Sequence, residues 1–105
     1  MAVTITMKYT KADGTIPPTI EEWVATLPQA KQDEFAAATI RETAAVQAAH
    51  NGALQSTTGN TQQWQDAESF NKFNVQATHD PVWFSYWNEY LTVNNIIFEQ
   101  VASGG

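Results

Sequence analysis

Between Asp80 and Val101 the chain reads DPVWFSYWNEYLTVNNIIFEQV, and this stretch holds six of the twelve Phe, Trp and Tyr residues in the 105-residue sequence. So dense a group of rings has to be buried against something, which limits what the rest of the chain can build. Asp80 offers the carboxylate of an N-cap, and Pro81 suits the first helical position, where no amide donor is needed. At about 100° per residue, the large apolar residues from Trp83 to Val101 fill one arc of about half a cylinder. Ser85, Asn88, Thr92, Asn95 and Glu99 fall opposite. The pattern predicts one helix over 81–101. Its apolar arc is wider than a surface helix needs, so the helix is expected to sit centrally or to face a second partner. Asn94 falls inside the arc, between Trp83 and Trp87. A buried amide must find hydrogen-bond partners. Either it fixes the register or oligomeric state of a helix pair, or it meets a backbone carbonyl or water near the helix end.

The other segments have to supply the cover. At the start, Val3, Ile5, Met7 and Tyr9 alternate with Thr4, Thr6, Lys8 and Thr10, the period-2 pattern of a strand with one wet face. Asp13-Gly14 marks a turn, and Pro17-Pro18 removes two backbone donors soon after it. The strand is therefore left with a stub of a partner in its own chain. It is expected either to form a small hairpin on the helices or to serve as an arm that joins a neighbour's sheet. Thr19-Ile20-Glu21-Glu22 matches a capping box and opens a short helix through Trp23, Val24 and Leu27. A long alanine-rich helix is predicted over 28–50, with Asn51-Gly52 as its left-handed cap. Its small side chains complement the rings of 81–101, and the two are expected to form the main packing pair. Residues 51–60 read as a loop. Trp64, Ala67, Phe70 and Phe73 recur every three residues and predict a helix over about 61–72, capped by Asn60 or Thr61. An extended segment through Val75 and Ala77 follows, and 102–105 is expected to be a frayed tail.

These readings give a single domain, mainly α: a small helical bundle (19–101) carrying a short N-terminal β-strand or hairpin arm (1–18). Little in the sequence suggests catalysis. The chain has no cysteine, and His50 and His79 with Asp80 fall short of a zinc pattern. Ser69 and Lys72 satisfy S-x-x-K without the motifs that accompany it in known hydrolases. Neither Asp33 with Glu34 nor Asp66 with Glu68 has the apolar setting that shifts a pKa. No catalytic, cofactor-binding or metal-binding residue is assigned. Five basic residues against eleven acidic ones give a net charge of −6. Scattered lysines with that balance argue against direct nucleic-acid binding and against anionic membranes. No apolar run approaches the length of a transmembrane helix.

What remains is recognition of protein. Charged residues make up only 15% of the chain, against the usual quarter or so, and Thr, Gln, Asn and Ala take their place. Such a surface suits a subunit whose faces meet other protein. In general character the chain is similar to the small structural proteins of tailed bacteriophage particles, such as accessory capsid, neck, tail or baseplate components. That resemblance transfers no residue roles. It implies a non-enzymatic virion subunit within a homo- or hetero-oligomer. The expected interface residues are Val3, Ile5, Met7, Tyr9, Trp83, Phe84, Trp87, Tyr90 and Asn94. The alternative is a cytoplasmic acidic adaptor or inhibitor that covers a basic surface of a host protein.

Overall fold

The computed structural model describes residues 2–50, 52–75 and 78–103. Asn51, Ala77 and the Gly104-Gly105 end, which figure in the expected cap, extended segment and tail, lie outside the described residues. The chain forms β1 (Val3–Lys11), α1 (Ile20–Val24), α2 (Gln29–His50), β2 (Leu54–Thr58), β3 (Thr61–Trp64), α3 (Ala67–Phe73), α4 (Pro81–Val93) and β4 (Ile96–Ser103). The strands make one antiparallel sheet in the order β2-β3-β1-β4. The fold is thus α+β, and the expected helical bundle with an N-terminal β arm is incorrect.

The largest correction falls on 81–101. Asp80 does cap α4, its carboxylate accepting from the amides of Val82 and Trp83 at 3.2 and 3.1 Å. The helix, however, ends at Val93. Asn94 occupies the C-cap, and Asn95 takes the left-handed conformation at φ +54°, which asparagine tolerates better than most residues. The chain then leaves as β4. Ile97, Phe98 and Val101 would have continued the helical arc, which is why a single helix was expected. Ile96, Ile97 and Val101 are β-branched and serve a strand equally well.

That strand completes β1. Thr4 to Lys11 pair with Ser103 to Ile96, and Val3 to Thr6 pair with Trp64 to Thr61 on the other side. β1 is therefore a central strand with two partners at home, neither a hairpin stub nor a free arm. Asp13-Gly14 does turn the chain, with the Gly14 amide donating to the Lys11 carbonyl at 3.0 Å. No returning strand follows it, and Ile16 stands 93% exposed.

Residues expected to be a loop and then a helix form the β2–β3 hairpin. Gly59, at φ +59°, takes the first central position of its two-residue turn, where a positive φ is required. Leu54 and Trp64 are the only large apolar residues in the pair, so hydrophobic periodicity had little to register. The three-residue recurrence of Trp64, Phe70 and Phe73 has another origin. Trp64 closes β3, Asp66 caps α3 through the Ser69 amide at 2.7 Å, and the two Phe rings fold back onto Trp64 at centroid distances of 5.6 and 5.0 Å.

Both other helices follow the sequence reading. The Thr19–Glu22 capping box is formed in full. α2 packs against α4, with Phe35 edge-on to Tyr86 at 5.6 Å. Of its alanines only Ala38 is fully buried, so the rest support helix formation more than packing.

Two apolar cores result. One gathers Trp23, Val24, Phe35, Tyr86, Tyr90 and Ile96 around the two large helices. The other gathers Ile5, Ala53, Trp64 and Phe70 beneath the far end of the sheet. The opposite sheet face, with Lys8, Thr10, Ser56, Thr58, Gln63, Ile97, Glu99 and Val101, is exposed.

Candidate functional site: an aromatic cleft over a buried carboxylate

β1 spans both cores, Ile5 in one and Tyr9 against the other, and between them Met7 faces a cleft. The cleft has a volume of about 220 Å³ and lies between the inner sheet face and the first half of α4. Its walls are rings that touch in sequence. Phe73 meets His79 at 5.4 Å, His79 stacks on Phe84 at 5.6 Å and Phe84 leans on Trp87 at 6.1 Å. Trp87 is edge-on to Phe98 at 4.8 Å, and Phe98 meets Tyr9 at 5.0 Å. Trp83 stacks on both His79 and Trp87.

Glu42 also lines this cleft, although it is only 7% exposed. One carboxylate oxygen contacts His79 Nδ1 at 2.6 Å, and the other accepts from the Asp80 amide at 2.7 Å. A buried carboxylate needs such partners. They fix the segment entering α4 to the middle of α2. Arg41, one residue back, reinforces the joint through Asp80 at 2.9 Å. That guanidinium and the Trp83 and Val82 amides hold the Asp80 carboxyl below its ordinary range. In the neutral tautomer that donates Nδ1–H to Glu42, His79 Nε2 is an acceptor, and no partner for it occurs among the described residues. Across the cleft, the Asn74 and Gln100 amides exchange hydrogen bonds at 3.0 and 3.3 Å. Burial raises the pKa of the Tyr9 hydroxyl, opposed in part by a hydrogen bond with Trp87.

A second, broader hollow of about 410 Å³ adjoins the first, and Tyr9 and Trp87 line both. It runs along Ile16, Pro17, Pro18 and Thr19 toward Tyr90, whose hydroxyl donates to the Pro18 carbonyl. Apart from His79, the described residues lining the two hollows include only Glu21 and Glu42 as ionisable side chains of full charge, both acidic.

Chemically, the His79–Glu42 pair can form hydrogen bonds with a polar group in the cleft. Among the described residues no serine or threonine lines the cleft beside it.

The residues expected at an interface divide four ways. Val3, Ile5, Met7 and Tyr9 all lie on the helix side of β1, and Ile5 is just 2% exposed. Trp83, Phe84 and Trp87 stand half-buried around the cleft, whereas Tyr90 is buried in the core. The Asn94 side-chain amide donates to the Tyr90 carbonyl at 2.9 Å, the backbone-carbonyl contact of the second reading above. The histidines do not converge either. His50 accepts from the Gly52 amide and sits edge-on to Trp64. Among the described residues no three His, Asp or Glu side chains form a metal-holding group, and no helix is long and apolar enough to cross a membrane. Glu42 was missed by sequence reasoning, although its spacing from Phe35 and Ala38 places it on the buried stripe of α2.

Fold and site together define an α+β domain with a side-chain-sized aromatic recess. Compared with known proteins, the chain matches no family model, no curated protein and no solved structure.

Proposed function

We propose that this protein is a non-enzymatic assembly subunit that binds neighbouring protein, and that its setting is a small virion component of a tailed bacteriophage. The observation that carries this reading is β4. Its eight residues bond to β1 on one side only and form one edge of the sheet. An edge strand offers unpaired backbone groups to any incoming strand. This one contains neither proline nor lysine, and Ile97 and Val101 lie 48% and 39% exposed along it. The edge that β1 was expected to supply is thus supplied by β4.

Light scattering over a range of protein and salt concentrations tests the proposal. The expected result is association, of the chain with itself or with a co-expressed subunit, that survives moderate salt. Ile97→Lys, at an exposed position, should weaken association while leaving the fold intact. Association that the variant does not affect would overturn the role of β4. A second reading, an acidic adaptor or inhibitor on a basic host surface, draws support from the purely acidic charge of the two hollows. It predicts a monomer whose complex dissociates as salt rises.

A further inference from the structure

We infer that the 220 Å³ cleft receives a single arginine side chain presented by a different protein. The inference rests on the proposal that the chain binds a protein neighbour, and it specifies what that neighbour must carry.

Size comes first. Ligand pockets usually enclose about 300–1,000 Å³, and this cleft holds 220 Å³. A single side chain fits such a space better than a metabolite does.

Charge and wall chemistry come next. Phe73, Trp83, Phe84, Trp87 and Phe98 surround the space, and ring faces attract organic cations. Among the described residues Glu42 supplies the only full charge in the lining besides what His79 can carry, and no Lys or Arg lies there to neutralise it. The protein's net charge of −6 favours the approach of a basic group.

The spread of acceptors then selects arginine over lysine. Glu42 stands on α2, His79 before α4, Asn74 at the end of α3 and Gln100 on β4. Each carboxylate or amide oxygen retains a second lone pair after the bonds described above. A guanidinium, with five fanned donors and weak hydration, can address scattered acceptors while lying against rings, whereas an ammonium needs them to converge. The donor cannot readily be a second copy of this chain. Its only arginine is Arg41, which is already bound to Asp80.

The test uses N-acetylarginine amide, with the lysine and norleucine amides as comparison probes, followed by NMR of the four tryptophan indole N–H signals. Saturable shifts are expected at Trp83 and Trp87, with the buried Trp23 and Trp64 signals unmoved. The neutral norleucine probe should bind about tenfold more weakly. Phe84→Leu should reduce arginine affinity about threefold, and Glu42→Gln should bring it down to that of norleucine. Because Glu42 also holds His79 and the Asp80 amide, the amide spectrum of that variant checks folding. If the variant is unfolded, the Phe84→Leu result decides. Equal binding of arginine and norleucine, equal binding of arginine and lysine, an unchanged Phe84→Leu variant, or no shift at all would each overturn the inference. Light scattering of the chain alone does not involve this cleft. Self-association through β4 with no arginine binding would therefore sink the inference and leave the assembly proposal standing.

Discussion

Tyr86 joins the two large helices through its hydroxyl, which donates to Glu34 on α2 at 2.7 Å. Burial, and then the adjacent Glu34 carboxylate, push its pKa up to about 12. The folded chain therefore keeps a proton that the unfolded chain releases near pH 10, so this stability is complete below pH 10 and is lost as pH rises toward 12. Tyr9 and Tyr90 are raised as well, chiefly by burial. Absorbance at tyrosinate wavelengths should show little ionisation at pH 10 in the native protein, then a cooperative rise as the chain unfolds. Tyr86→Phe should lower stability by about 1 kcal/mol at neutral pH and weaken its dependence on alkaline pH. Asp80 acts at the other end of the scale. Its carboxyl lies below its ordinary value because of Arg41 and the helix amides. The stability it contributes is present above about pH 4 and is lost as pH falls further. Urea midpoints between pH 5 and 2 should fall more steeply for the native chain than for Arg41→Gln, which lacks the ion pair.

At the scale of elements, the junction of α4 with β4 decides the fold class. Asn95 at φ +54° is the only non-glycine residue among those described with positive φ. Asn95→Gly should be close to neutral, whereas Asn95→Ala should cost about 1 kcal/mol, since a Cβ without the asparagine amide is poorly tolerated there. Chemical denaturation of both variants checks this. The same junction explains how far the sequence could be read. Thr19, Glu22 and Asp80 announce their helix starts through local chemistry, and the alternation of Val3 to Tyr9 identifies β1. Asn94-Asn95 was the available stop signal for α4. It was outweighed because Ile97, Phe98 and Val101 fall in phase with the helical arc as well as in a strand. β2 and β3 were illegible for the opposite reason: LQSTT and TQQW carry too few apolar residues to show a period. Half of the cleft was visible, in Trp83, Phe84 and Trp87. Its charged floor was not, because the contact of Glu42 with His79 spans thirty-seven positions.

For the molecule as a whole, the two cores are unequal in what they can lose. Trp64 is completely buried and anchors the smaller one through His50, Phe70 and Phe73. Trp64→Ala should cost about 3–5 kcal/mol and, in a domain this size, leave little of the β2–β3–α3 end folded. Thermal unfolding followed by tryptophan fluorescence would reveal it. The pairing of β1 with β4 carries a further consequence, for the order of events in time. Thr4 meets Ser103 and Lys11 meets Ile96, so this pair of strands joins segments far apart in sequence. Contacts so distant in sequence close slowly. During synthesis Ile5 can meet Gln62 of β3 first, whereas Tyr9 must wait for Phe98, and the helices between have time to form before β1 and β4 join. A nascent chain halted before Ile96 would hold those helices beside an unsatisfied strand. It should bind chaperones far more strongly than the finished protein does.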